Sequence, residues 1–157
     1  MGMISKVFYE TVVNEFAFLM EEYSFKGPFS DFKICEERYV YKIWFMGRTL
    51  AIEFVLDQRD EDVSCLIVRL ENGQLPSGLY VNERGERVRV YLELWLREKG
   101  FKEPFLKVKN KNLTEKIDLL IRDYARLLRM HGDLVLQDRA DEVFSRVSGR
   151  LSGLQGA

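Results

Sequence analysis

The first part of the chain has the hydrophobic spacing of an amphipathic helix. Between Ser5 and Tyr23, apolar side chains recur every three or four residues, so that a helix would carry them on one face. Gly27 and Pro28 follow and stop helical hydrogen bonding. The pattern predicts an N-terminal helix that packs its apolar face against another element.

The middle of the chain alternates with the period of β-strands. Residues 48–56 divide cleanly between two faces, with Leu50, Ile52, Phe54 and Leu56 on one and Thr49, Ala51 and Glu53 on the other. Further strands are predicted at 39–45 and 63–70, with an edge strand at 32–35. We expect Gly47 to supply the positive φ of a tight turn before residue 48.

Residues 88–99 fit two patterns. Residues 88–94 alternate as in a strand, whereas Leu92, Trp95 and Leu96 followed by Gly100 have the spacing of a helix with a glycine stop. We favour a helix for the whole segment. The loop before it and the linker after it, which carries Pro104, separate it from its neighbours.

From Asn112 the chain is predicted to be helical, with Asn112 or Thr114 as the N-cap and a break at Gly132. A shorter helical piece is predicted at 140–147. Residues 148–157 are small and polar, and we expect them to form a frayed tail. The chain is therefore predicted to be a single α+β domain over residues 1–147, followed by the tail.

The predicted fold class is α+β. Because strands joined by short connections usually pair with their sequence neighbours, the strands should form an antiparallel meander of about four. The N-terminal helix precedes this sheet, and the C-terminal helices pack on one of its faces.

Composition narrows the classes of function. The chain has 157 residues, of which 46% are apolar and 31% charged, as in an ordinary globular domain. Its 24 basic and 25 acidic residues leave no overall attraction to nucleic acid or to an anionic membrane. Glu10 and Glu15 interrupt any signal-peptide core, and no stretch is apolar enough to span a membrane. We expect a soluble cytoplasmic protein with Cys35 and Cys65 reduced.

Candidate catalytic and metal-binding groups are sparse. His131 is the only histidine, which removes multi-histidine metal sites, and a structural role at a helix end is the favoured interpretation. The carboxylates Glu36 and Glu37 would act with Glu53 as acid and base only if the fold brought them together. No catalytic residue, metal or other cofactor is predicted.

Two charged segments have a surface interpretation. Asp57, Asp60, Glu61 and Asp62 do not have the spacing of a calcium loop, and a solvated hairpin turn is favoured. Basic residues with nearby Tyr80, Tyr91 and Phe105 would suit a nucleic acid, but interleaved glutamates favour a mixed solvated surface. These basic residues are Arg84, Arg87, Arg89, Lys102, Lys107, Lys109 and Lys111.

Aromatic residues are dense around the junction of the first helix and the sheet. They are Phe25, Phe29, Phe32, Tyr39, Tyr41 and Trp44. Most are needed to fill a core of this size, and the remainder would form an exposed patch. Aromatic residues contribute strongly to binding at interfaces, and we take Trp44 as the candidate anchor.

Four segments resemble immunity proteins of bacterial polymorphic toxin systems. They are residues 16–25 (FAFLMEEYSF), 39–43 (YVYKI), 50–60 (LAIEFVLDQRD) and 124–138 (YARLLRMHGDLVLQD), with Phe144 shortly after. In the last segment a long helix is followed by a leucine and aspartate turn and a terminal helix. Those proteins often have glycine before that aspartate, where this chain has Gln137.

The resemblance implies a non-enzymatic protein that neutralises a toxin by binding it. Residues Asp57, Asp60, Glu61 and Asp62 would then face a basic toxin, with Trp44 as an aromatic contact. Two alternatives remain open at this point. One is a structural or regulatory protein, such as a homodimer that buries a sheet edge or an aromatic patch. The other is a small-ligand receptor or enzyme with a pocket built from distant residues.

Overall fold

The computed structural model describes residues 2–35 and 38–145, and it shows an α+β fold. In chain order the elements are α1 (Met3–Tyr23), β1 (Lys26–Cys35), β2 (Arg38–Met46), β3 (Leu50–Asp57), β4 (Asp62–Arg69), β5 (Arg89–Tyr91), α2 (Leu92–Lys99), α3 (Leu113–His131) and α4 (Asp133–Leu136). Residues 140–145 are also helical. The predicted tail at 148–157 lies outside the described residues.

The strands form one antiparallel sheet in the order β1-β2-β3-β4-β5. The prediction of an antiparallel meander with helices on one face is confirmed, with five strands in place of about four. The fifth strand comes from the ambiguous segment, because residues 89–91 pair with β4 before the chain turns into α2. The helix favoured for the whole of residues 88–99 is therefore wrong for residues 89–91, where the strand pattern holds, and is confirmed for residues 92–99.

Strand β1 begins at Lys26, earlier than the edge strand predicted at 32–35. Its ladder with β2 contains an irregularity between Lys26 and Phe29, around Pro28. An edge strand tolerates such a proline because only one side of its backbone needs hydrogen bonds to a neighbouring strand. Gly27 and Pro28, which were expected to end α1, therefore lie inside β1, and α1 already ends at Tyr23.

The helices cover one face of the sheet, which we call the inner face. Phe16 of α1 lies 4.4 Å from Phe54 of β3 between ring centroids, and Phe8 meets Tyr41 edge-on at 5.9 Å. From α3, the hydroxyl of Tyr124 donates a hydrogen bond to the carbonyl of Val63 at 3.2 Å. The alternating residues of β3 that were predicted to share an apolar face are all fully buried there.

The ends of α3 follow the sequence signals. The Asn112 side chain accepts a hydrogen bond from the Glu115 backbone N–H at 2.9 Å and donates to the Glu115 carboxylate at 2.8 Å. Asn112, not Thr114, is therefore the N-cap. At the other end, Lys99 Nζ donates to the carbonyl of His131, whose ring packs edge-on against Phe101 at 5.0 Å.

Gly47 is needed for a different reason from the one expected. It does not have positive φ in this structure. Instead, a Cβ at this position would lie 2.6 Å from the carboxyl group of Asp138. That carboxylate accepts hydrogen bonds from the backbone N–H groups of Thr49 at 2.9 Å and Leu50 at 3.0 Å, and also from that of Arg48. Close approach, and not backbone conformation, explains the glycine.

Candidate functional site

The face of the sheet opposite the helices, which we call the outer face, is covered over only part of its width. The long connection between β4 and β5, residues 70–88, packs Leu75 against a small cluster formed by Ala51, Val68 and Leu70. This connection shields the β3 to β5 side of the face. On the β1 and β2 side, Phe29 is 41% exposed and Trp44 is half-buried.

A buried ion pair holds the connection in place. Glu53 and Arg89 are 2% and 5% exposed, and Arg89 Nε lies 3.3 Å from Glu53 Oε1. The same guanidinium donates to the carbonyl of Leu79 at 3.1 Å and to that of Gly78. Arg89 therefore ties the connection to the sheet as well as neutralising Glu53. The second oxygen, Glu53 Oε2, is buried without a hydrogen-bond partner among the described residues.

The uncovered part of the outer face presents two stacked aromatic rings. Phe29 and Trp44 are neighbours in the β1 and β2 ladder, with ring centroids 6.0 Å apart and planes at 26°. Beside Trp44 is a cleft of about 310 Å³ that also reaches Asp31, Lys42 and the Glu53 and Arg89 pair. The aromatic rings and the cleft form one continuous surface, which we call the aromatic surface.

The acidic turn joins β3 to β4 at one end of the sheet. Asp57 is the last residue of β3, and its Oδ1 accepts hydrogen bonds from the backbone N–H groups of Arg59 and Asp60, each at 3.1 Å. Glu61 has φ of 51°, and Asp62 lies directly across the ladder from Asp57. These contacts hold the turn in a defined conformation while residues 59–62 remain exposed.

The structure places Trp44 and the acidic turn on the same face but not in contact. Trp44 lies opposite Glu53, whereas Asp57 lies opposite Val40, four residues farther along the ladder. At about 3.3 Å per residue this spacing is roughly 13 Å. Lys42 lies between them, in register with Asp31. A single protein partner could cover both features, but a small molecule could not.

The sequence reasoning missed Phe29 as a partner of Trp44 and missed the Glu53 and Arg89 pair. A usable signal exists for the pair, because each residue is a lone charge between apolar neighbours in a strand. Glu53 was also considered as an acid or base acting with Glu36 and Glu37, and residues 36 and 37 lie outside the described residues. Within the described part, the contact of Glu53 is with a cation, so its carboxylate serves to position the connection.

The possible basic surface is divided by internal contacts. Arg89 is buried, Arg84 Nε pairs with Glu86 at 2.6 Å, and Arg87 Nε donates to the carbonyl of Arg89 at 2.8 Å. The hydroxyl groups of Tyr80 and Tyr91 hydrogen-bond to each other at 2.8 Å, which helps to raise the pKa of Tyr91 to about 12. These arginines and tyrosines shape the 70–88 connection.

Three other features bear on a ligand site. A cleft of about 820 Å³ is polar and lies within the 70–88 connection, with Arg69, Asn82 and Glu86 in its walls. An apolar cleft of about 420 Å³ lies near the start of α1 and includes Phe32 and Tyr39. The third feature is the carboxyl group of Glu93, whose pKa is raised.

Burial raises the pKa of the Glu93 carboxyl group, and nearby Asp62 and Asp123 raise it further. Burial likewise raises the pKa of the Cys65 thiol, with smaller effects of Glu93 and Glu53. Neither Glu93 nor Cys65 borders the clefts described above. The perturbed carboxyl group of Glu93 therefore lies away from these clefts.

Cys35 and Cys65 lie on strands β1 and β4, three strand spacings apart, so their backbones are separated by roughly 14 Å or more. A disulfide cannot span that distance. Among residues 2–35 and 38–145, no group of histidine, cysteine and carboxylate side chains is placed to hold a metal ion. In the same part of the chain no helix has both the length and the apolar character required to cross a membrane.

Comparisons with protein-family models, with curated proteins and with solved structures found no match to this chain.

Proposed function

We propose that this chain is a non-enzymatic protein-binding module that docks a partner on the aromatic surface. The observation that carries the proposal is the stack of exposed Phe29 on half-buried Trp44, on a part of the sheet that the 70–88 connection leaves open. Aromatic side chains bury a large area at little cost in conformational entropy, and they dominate the energetics of many interfaces.

The scaffold beneath the aromatic surface supports such a role. Trp44 stands on the second strand of a five-stranded sheet whose opposite face is packed against helices. The buried pair of Glu53 and Arg89 holds the wall of the adjacent cleft. A surface that is ordered before binding loses less entropy when the partner docks, which favours slow dissociation.

The acidic turn indicates the charge of the partner. Asp57 and Asp62 face the same side of the sheet as Trp44, and Asp60 and Glu61 extend the turn. A basic partner would be attracted to this end of the face before it docks, since complementary charge mainly speeds association. Neutralisation of a basic toxin, the role implied by the resemblance to immunity proteins, fits this arrangement, and we propose it as the biological role.

The test compares partner binding by a variant on the aromatic surface with partner binding by a control variant on helix α3. A partner captured from the source cells should bind Trp44→Ala at least about thirtyfold more weakly, as expected for an aromatic anchor. Leu119→Ala is the matched control, because Leu119 is an exposed apolar residue on α3. Equal binding by both variants would place the docking surface elsewhere.

Charge reversal separates the contribution of the acidic turn. The triple variant Asp57→Lys, Asp60→Lys and Asp62→Lys should slow association at low salt, and the difference should shrink as salt is added. The control reverses three exposed glutamates away from the turn, Glu10, Glu83 and Glu103. If the control slows association as much as the turn variant, net charge and not the turn attracts the partner.

The biological role needs a separate readout. Cells that express the captured partner alone should stop growing, and co-expression of this chain should restore growth, whereas Trp44→Ala should not. A partner that is harmless on its own would remove the toxin interpretation while leaving the binding module intact.

A further inference from the structure

Strand β1 has an open edge. It pairs with β2 on one side, and no other strand within the described residues pairs with it. The direction of its outward backbone groups follows from the hydrogen bonds of β2. The carbonyl of Tyr39 accepts a hydrogen bond from Gln58 N–H, so the backbone N–H and C=O groups of Tyr39 and of alternate residues of β2 point toward β3. Their ladder partners in β1, including Phe32 opposite Tyr41, consequently direct N–H and C=O toward the open edge.

The regular part of this edge is centred on Phe32. Residues 29–35 pair with β2 in one uninterrupted register, from Phe29 opposite Trp44 to Cys35 opposite Arg38. The irregularity next to Phe29 and the missing N–H of Pro28 end the regular ladder on one side. A second strand could therefore pair with residues 29–35, and Phe32 is at the middle of that segment.

The charged residues on either side of Phe32 would match each other if two copies of β1 paired symmetrically. Asp31 and Lys33 flank Phe32 and occupy positions on the same face of β1, since successive residues of a strand alternate. If two copies paired antiparallel about a two-fold axis at Phe32, position 31 of each copy would lie opposite position 33 of the other. Asp31 would then meet the partner's Lys33 twice, and opposite charges directly across a ladder are favourable.

Exposed aromatic surface lies along the same edge. Phe32 and Tyr39 are each 47% exposed, with ring centroids 6.2 Å apart, and with Tyr41 they border the apolar cleft of about 420 Å³. In the two-fold arrangement the two Phe32 residues would be direct cross-strand neighbours. Aromatic pairs in this position stabilise a sheet, and an uncovered edge strand with exposed aromatics is otherwise prone to uncontrolled pairing.

We propose that two copies of this chain pair through β1, antiparallel and with Phe32 opposite Phe32, to form a continuous sheet of about ten strands. About six backbone hydrogen bonds would form, because the outward N–H and C=O groups of positions 30, 32 and 34 meet their counterparts. The occupant of the edge is a second copy because the charge order about Phe32 is self-complementary: positions 31 and 33 of one copy lie opposite positions 33 and 31 of the other. The pairing uses the sheet edge, and its test does not depend on the proposed partner of the aromatic surface.

A charge-swap experiment tests the register. Sedimentation velocity over a range of protein concentrations should show a reversible dimer. Asp31→Lys alone and Lys33→Asp alone should each weaken it by about tenfold or more, because both symmetric pairs become like charges. The double variant Asp31→Lys and Lys33→Asp should restore the dimer, since each pair is again of opposite charge.

Mixing the two single variants gives a second readout. Asp31→Lys chains and Lys33→Asp chains should form a heterodimer in preference to either homodimer, because all four central charges then match. Glu83→Lys and Lys107→Asp are controls of equal charge change at exposed positions away from β1, and they should leave the dimer unchanged. Circular dichroism should show that every variant is folded.

Two results would overturn the proposal. One is a chain that stays monomeric up to millimolar concentration. The other is a dimer whose dissociation constant is the same for the wild type, the single variants and the double variant, with no preference for the heterodimer. The second result would mean that the copies associate through another surface.

Discussion

The two faces of this sheet are built from alternate residues of the same strands, yet they are covered in different ways. On the inner face, helices α1 and α3 bury apolar side chains such as Phe54 and Ile52 completely. On the outer face, one part is shielded by the 70–88 connection through Arg89, and the other part leaves Phe29 exposed. The inner face is closed by the packing of apolar surface, whereas the outer face is closed only in part, by a charged pair together with a small apolar cluster.

The contrast is clearest in β3. Ala51 and Glu53 belong to the face opposite its apolar residues, but both are as buried as those residues. Alternation in the sequence shows which residues share a face, but it does not show whether that face is covered. The covering comes from a connection that lies some 20 residues farther along the chain.

The largest effect should separate the two faces directly. Phe54→Ala should lower the free energy of unfolding by about 3–5 kcal/mol, because it leaves a cavity in the helix-covered core. Phe29→Ala removes the same side chain from the exposed outer face and should cost less than about 1 kcal/mol. Urea unfolding of both variants checks this, and equal losses would contradict the distinction between the faces.

Removing Arg89 should uncover the shielded part of the outer face. Arg89→Met should cost about 3–5 kcal/mol, since it leaves the Glu53 carboxylate buried without its cation and frees the carbonyls of Gly78 and Leu79. Hydrogen exchange should speed up in residues 70–88. Arg84→Met, which removes an exposed pair with Glu86, should leave stability essentially unchanged.

A polar contact at Asp138 also ties the C-terminal part of the chain to the sheet. Asp138→Ala should cost about 2 kcal/mol, because its carboxylate satisfies the backbone N–H groups of Thr49 and Leu50. Gly47→Ala should also destabilise the fold by forcing that carboxylate aside. If both act on the same contact, the double variant should lose less than the sum of the two, as a thermal unfolding cycle would measure.

The smallest effect concerns Glu93, close to the acidic turn. Since its pKa is raised in the folded state, the stability it contributes is fully present below the ordinary carboxyl pKa and is lost as pH rises through the folded pKa. At pH 7 the wild type should therefore be slightly less stable than Glu93→Gln, by a few tenths of a kcal/mol after solvent screening. The difference should shrink toward pH 4, and a difference that grows on acidification would contradict this sign.

Local sequence signals predicted which helices and strands form better than they predicted the residues at which each begins and ends. The helix N-cap at Asn112 was predictable because a side chain three residues before Glu115 completes a local hydrogen-bonding pattern. The start of β1 was not, because Pro28 would end a strand in isolation and is tolerated only at the edge of a sheet. The role of Gly47 also required a residue some 90 positions away.

The candidate site was only partly predictable. Trp44 and the acidic turn were recognisable as aromatic and charged segments, and the structure puts them on one face about 13 Å apart. The stacking of Phe29 on Trp44 depends on the register between β1 and β2, which is uninterrupted from residue 29 to residue 35. Their contribution to binding stays a prediction.

By itself, the sequence determined the α+β class, the order of the first helix, the first four strands and the long C-terminal helix, and the composition of the inner face. Those properties follow from the spacing of apolar residues within each segment, and each segment carries its own spacing. Only the tertiary structure decided that Glu53 is buried with Arg89, that Gly47 lies against Asp138, and that the Phe29 and Phe32 sides of β1 are left open. These depend on contacts between distant residues, whose energies no local pattern contains.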